Sequence, residues 1–219
     1  MINPKVPIFI PYGYKGIGKT MLLQRLTYYL RQKGYAVIPN GKYLSILDHK
    51  GMLVCYCIDM IGNSQLNINN PHSALSQEMH DIVKLPNRKI WGFMVENNNW
   101  LNLPQRQGYV RNIRNIANLT PKDKVIFIYN KVDLIPFVVN YSEINYKGLF
   151  DSAESAFPNI FAPFERKNTL LRILKGKYSF KMVPFQTGVF NETGGSTNFV
   201  MGRDEYPRLL WNEILKYIR

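Results

Sequence analysis

The stretch 6-VPIFIPYGYKGIGKT-20 decides the fold. Its first seven residues, 6–12, are an apolar run short enough for a buried strand. Its last eight, 13-GYKGIGKT-20, satisfy Gly-x-x-x-x-Gly-Lys-Ser/Thr at every fixed position. The residues that follow, 19-KTMLLQRLTYYLRQK-33, place Leu22, Leu23, Leu26, Tyr29 and Leu30 at helical spacing, with Gly34 as a natural stop. Strand, glycine loop and a helix that opens inside the loop together make a phosphate-binding loop. Gly13, Gly16 and Gly18 let backbone N–H groups curl around phosphate oxygens without side-chain clashes. The helix N-terminus adds the positive end of its dipole. Lys19 reaches the outer phosphates, and the Thr20 hydroxyl ligates Mg²⁺. Tyr14, Lys15, Ile17 and Met21 complete the candidate phosphate-binding set, with the Lys15 side chain expected to point outward.

Outward from the loop, apolar runs alternate with helical patterns, which predicts an α/β layer architecture. The residues 42-KYLSILDHKGMLVCYCI-58 read as a hairpin about 48-DHKG-51, a sequence with turn chemistry. Further strands are expected at 90-IWGFMV-95, 124-KVIFIY-129 and 178-YSFKMVPF-185. The residues 96-ENNN-99 read as a polar loop after the first of these. Helices are expected at 104–118, around 166–175, and over 204-DEYPRLLWNEILKYIR-219. The glycine-rich 191-NETGGSTN-198 reads as a loop, and 134–177 as a long, mixed, basic expansion. The expected architecture is three layers around a mostly parallel sheet, with one antiparallel strand supplied by the 42–58 hairpin. One domain over 1–219 is the expectation for 219 residues.

Composition excludes several classes. An apolar fraction of 46% argues against a disordered chain. Cys55 and Cys57 lie two apart on an apolar run, so they share a strand face as small core residues and build neither a disulfide framework nor a zinc site. His80, in 79-MHD-81, reads as a surface or capping residue. No apolar stretch is long enough to span a bilayer, and the N-terminal run lacks a signal-peptide cleavage site, so a cytoplasmic protein is expected, able to sit peripherally on a membrane or a larger complex. The net charge is +13 and unevenly placed: Arg106, Arg111 and Arg114 stand without an acid in 104–119, and 160–181 holds six cations against Glu165. Such faces attract nucleic acid, an anionic membrane or an acidic protein, or simply remain solvated.

The loop does not name the base. The residues 130-NKVD-133, at the end of the strand 124–129, and 59-DMIG-62, at the end of the hairpin, complete a set. The order is loop, hairpin, Asp-x-x-Gly, then Asn-Lys-x-Asp, separated by 40 residues from Lys19 to Asp59 and 71 from Asp59 to Asn130. In this the sequence resembles a divergent member of the P-loop GTPases, the Ras-like and translation-factor-like superfamily. The resemblance implies GTP and GDP as ligands. It implies that the Asp133 carboxylate accepts from the guanine N1–H and amine, that Asn130 contacts the ring edge and ties its loop to the phosphate site, and that the Lys131 stem lies on the purine. It further implies that Asp59 holds Mg²⁺ through a water and that the Gly62 N–H senses the γ-phosphate. Thr187 and Gly188, in 186-QTG-188, occupy the place of the loop that supports the guanine carbonyl.

Two departures bear on chemistry. There is no threonine between residues 28 and 119, where the family's first switch carries one; Ser45, the only such hydroxyl in 35–58, reads as a strand residue. After Asp-x-x-Gly stands Asn63 in place of the glutamine that orients water in Ras-like members. The expected activity is therefore slow GTP hydrolysis, with Lys19 and Asn63 as catalytic candidates, aided by an effector or activator protein. The alternative is a scaffold that holds GTP or GDP and does not hydrolyse it. A nucleotide kinase also opens on strand, loop and helix, but has no need of Asn-Lys-x-Asp. An ATPase with an additional signature lysine would carry it at position 14, which is Tyr.

Overall fold

β1 (Ile8–Tyr12) is buried at all five positions and forms the axis of the sheet. In a computed structural model that describes residues 2–59, 76–97, 101–136, 143–193 and 196–218, and only the backbone of 189–201, it is followed by α1 (Lys19–Gln32), β2 (Ala36–Asn40), β3 (Tyr43–Leu47) and β4 (Leu53–Ile58). Then come α2 (Gln77–Lys84), β5 (Lys89–Val95), α3 (Leu103–Leu119), β6 (Lys124–Tyr129), α4 (Tyr146–Ala156), α5 (Thr169–Lys175), β7 (Lys181–Pro184), β8 (Gly188–Thr193), β9 (Ser196–Met201) and α6 (Glu205–Ile218). Seven strands form one sheet in the order β2-β3-β4-β1-β5-β6-β7. β1 pairs in parallel with both β4 and β5, β5 with β6, and β6 with β7. β3 is antiparallel to β2 and to β4, so it alone runs against the rest.

Local chemistry sets the boundaries. α1 closes on a Schellman motif: the Gly34 N–H donates to Arg31 O and the Tyr35 N–H to Leu30 O, with Gly34 at φ 82°. The β3–β4 turn is tied by the Asp48 carboxylate, which accepts from the Lys50 and Met52 N–H groups. α3 carries a reciprocal capping box between Asn102 and Gln105. One sheet face is aromatic: Tyr12 stacks on Tyr109 of α3 and meets Trp91 and Phe93 edge-on, Trp91 and Phe93 stack on each other, and Phe93 continues through Phe127 to Phe161, Phe164 and Phe180. On the alternate face Gly92 leaves room for the Phe9 ring, because a Cβ there would lie 2.8 Å from it. Cys55 and Cys57 are free and buried in β4.

Two expectations are corrected, at 191–198 and at 178, and three elements are added. The residues 191–198 are not a loop: β8 and β9 pair antiparallel from Gly188↔Met201 to Thr193↔Ser196. Asn is a weak strand former on propensity, and strand pairing overrides that preference. The residues 35–40 conceal β2, which tolerates Pro39 because it is an edge strand. The mixed expansion contains α4, and α2 was not foreseen; His80 lies half-buried within α2, which Ser76 caps. The last parallel strand starts at Lys181 and not at Tyr178, because Tyr178 is bridged to Glu165.

Candidate functional site

The carboxyl ends of β1, β5 and β6 deliver three loops to one edge of the sheet, the place where open α/β sheets bind ligands. The loop after β1 turns through Gly16 (φ 84°) and Gly18 (φ 99°), a backbone that residues with a Cβ rarely adopt. Lys19, the first residue of α1, is buried to 5% exposure, and its Nζ donates to Gly13 O at 2.7 Å and Tyr14 O at 2.9 Å. Burial lowers its pKa from 10.5 to about 8, and the charge of Asp59 opposes part of that shift. The loop thus folds around its own lysine and holds a cation short of anionic partners.

Thr20, one residue on, donates from Oγ1 to Asp59 Oδ1 at 3.2 Å. Helix start and strand end therefore present two hard oxygens side by side. That donor set suits Mg²⁺, which takes one or two protein oxygens together with water and phosphate. No group of three or more His, Cys, Asp or Glu suited to a metal occurs among the described residues. Gly62 and Asn63 lie outside the described residues.

The loop after β6 packs directly on the loop after β1. Asn130 is buried; its Nδ2 donates to Ile17 O at 2.7 Å, and its backbone N–H to Val95 O. Its Oδ1 is buried without a hydrogen-bond partner, an acceptor short of a donor. A Cβ at Gly18 would approach Asn130 Nδ2 to 2.8 Å, so the glycine also makes room for this contact. Lys131 takes the left-handed conformation (φ 56°), and Asp133 is exposed on the short 3-10 turn Val132–Leu134. The segment after β7 closes the same edge: the Val132 N–H donates to Phe185 O, and the Gly202 N–H to Thr187 O. Arg25 of α1 holds the segment between β9 and α6, donating to Gly202 O and Asp204 Oδ1. Among the remaining loop residues, Lys15 is exposed, Met21 is half-buried, and the Ile17 side chain is fully buried.

Glu96 was hidden in the sequence as the first residue of a polar loop. It sits at the end of β5, 1% exposed. Its Oε1 accepts from the Tyr14 hydroxyl at 3.0 Å, and its Oε2 pairs with Lys131 Nζ at 2.6 Å. One buried carboxylate therefore joins the loop after β1 to the loop after β6. Burial and the Glu96 charge push the Tyr14 hydroxyl well above its ordinary pKa, so it remains a donor. The Tyr14 side chain faces the core, against Tyr109 and Phe157, leaving only its backbone for a ligand. An acid placed immediately after a fully apolar strand run was the available signal. A cavity of about 220 Å³ opens beside this carboxylate, lined by Glu96, Asn97, Lys131, Leu134 and Ile135. A larger one, about 650 Å³, lies at the opposite edge of the sheet near Trp91 and Lys124, away from these loops.

The frame that carries these loops is the three-layer α/β fold of P-loop GTPase G domains. Among solved structures the chain is similar to a protein assigned as nucleolar GTP-binding protein 1 of Plasmodium falciparum, with 16% identity, a TM-score of 0.50, and coverage of 99% of this chain and 89% of that one. It is likewise similar to a structure of the chloroplast translocon components atToc33 and psToc159, with 9% identity, a TM-score of 0.54, and coverage of 98% and 83%. At those identities the likeness is one of fold. No family model and no curated protein matches the sequence.

Proposed function

We propose that this chain binds guanine nucleotides through one G domain and hydrolyses GTP slowly with Mg²⁺. The observation that carries the reading is the bond from Asn130 Nδ2 to Ile17 O. It sets the Asn-Lys-x-Asp loop directly against the phosphate loop, as a site shared by one nucleotide requires. In this reading the backbone of 13–18 and Lys19 hold the phosphates, Thr20 and Asp59 hold Mg²⁺, and Asp133 reads the purine with Thr187 and Gly188 behind it. Gly62 and Asn63 keep their proposed places as γ-phosphate sensor and water-orienting residue.

A second reading, a nucleotide-holding module without turnover, is favoured by one observation. Between α1 and β4, where the family's first switch is a loop with a threonine, this chain is folded into strands. β2 and β3 pair from Ala36↔Leu47 to Asn40↔Tyr43 around a turn at Gly41–Lys42. Ser45 is a β3 residue paired to Ile38 and Tyr56. Little backbone there is free to close on a γ-phosphate.

Competition of fluorescent GDP by GTP, GDP, ATP and dTMP tests the binding reading. Displacement by ATP as readily as by GTP would refute it, whereas Asp133→Asn should shift preference from guanine to xanthine nucleotides. Single-turnover phosphate release with Mg²⁺ then separates hydrolase from module.

A further inference from the structure

Among the helices of the described residues, α5 alone has no buried residue. The whole excursion 167–177 is exposed. Leu170 (66%), Ile173 (76%) and Leu174 (71%) lie at i, i+3 and i+4, with Leu171 beside them. Arg172 and Lys175 lie outside this aliphatic stripe, Lys175 bordering it beside Leu171. Among the described residues no ion pair engages Lys167, Arg172 or Lys175, and no acid occurs between Arg166 and Lys181.

This is a built protrusion and not a frayed segment. Its neck is closed by the Glu165↔Tyr178 bridge and by Arg166, whose guanidinium donates to the carbonyls of Lys175, Gly176 and Tyr178. Lys177 pairs with Glu165 at the same neck. Tyr178 is stacked on Phe150 and Phe180 of the aromatic core. At the foot lies a cavity of about 440 Å³, with an apolar floor of Phe150, Phe180 and Leu209 under Lys175, Lys177 and Lys181. Glu213 also reaches this cavity, paired with Lys216.

We propose that α5 docks the protein onto an anionic lipid surface, its aliphatic side chains entering the headgroup region and the flanking cations meeting lipid phosphates. Charge complementarity selects this occupant. The tip is cationic, and the +13 charge of the chain draws it to a negative surface. Nucleic acid would satisfy the cations and leave four aliphatic side chains in water. A protein groove needs a shape to match, whereas a fluid interface accepts a convex tip from all sides. No described helix is long and apolar enough to cross a membrane, so the contact is peripheral. The inference stands apart from the nucleotide reading, because α5 contributes no residue to that site.

The test is co-sedimentation of the full chain with vesicles of phosphatidylcholine alone and of phosphatidylcholine with phosphatidylserine. Wild type should bind the second and not the first. L170S/I173S/L174S and R172E/K175E should each lower binding by roughly a hundredfold, with circular dichroism and thermal melts unchanged because the replaced side chains touch no core. Failure of wild type to bind the anionic vesicles, or equal binding by the serine variant, overturns the proposal. Binding to polyglutamate or single-stranded RNA in place of vesicles would assign the tip to an acidic protein or a nucleic acid instead.

Discussion

Nucleotide binding should be linked to protonation of Lys19. Its Nζ is turned onto the carbonyls of its own loop, and burial brings its pKa from 10.5 to about 8. A lysine lowered by folding opposes stability in its charged form. The penalty is fully present below pH 8 and fades as the pH rises from about 8 to 10.5; it corresponds to ~3 kcal/mol. Phosphate oxygens supply the negative charge that the carbonyls lack and return the proton. At pH 8 GDP binding should therefore take up ~0.5 proton, against ~0.1 at pH 7, and affinity should fall about tenfold between pH 7 and pH 9. Isothermal titration with GDP in buffers of contrasting ionisation enthalpy reads the uptake directly. Lys19→Met should abolish GDP binding while raising the stability of the nucleotide-free protein at pH 7 by up to ~3 kcal/mol. Tight GDP binding with no proton uptake at pH 8 would refute the assignment of a desolvated, phosphate-facing lysine.

Glu96→Gln should keep the Tyr14 hydrogen bond and lose the Lys131 pair. With Lys131 partly exposed, about 1–2 kcal/mol of stability should be lost in urea unfolding, together with weaker guanine binding. Gly18→Ala forces a Cβ into a left-handed position 2.8 Å from Asn130 Nδ2; about 1–3 kcal/mol of destabilisation and at least tenfold weaker GDP binding are expected. Gly92→Ala meets the Phe9 ring at 2.8 Å and Ile128 at 2.9 Å. It should cost about 1–3 kcal/mol in a thermal melt and leave GDP affinity unchanged, because the clash is in the core and not at the loops.

The sequence by itself determined the elements whose signal is local. A glycine loop between an apolar run and a helical period can be read along the chain, and so can the Asp48 turn, the Gly34 stop and the motifs at 59–62 and 130–133. Their order implied the sheet, because parallel strands joined by helices leave few topologies. Other features depended on partners far along the chain. Asn191, Thr193 and Thr197 look like loop residues until the β8–β9 pairing satisfies their backbone. The segment 35–40 becomes an edge strand only where β3 lies beside it, and that pairing fills the place of a switch loop. Glu96 looked like solvated polarity, yet tertiary structure buries it between Tyr14, 82 residues away, and Lys131. A carboxylate's environment is set by what folds around it. Burial and long-range pairing are properties of the assembled chain, so the link between the two loops and the exposed tip of α5 became visible only in three dimensions.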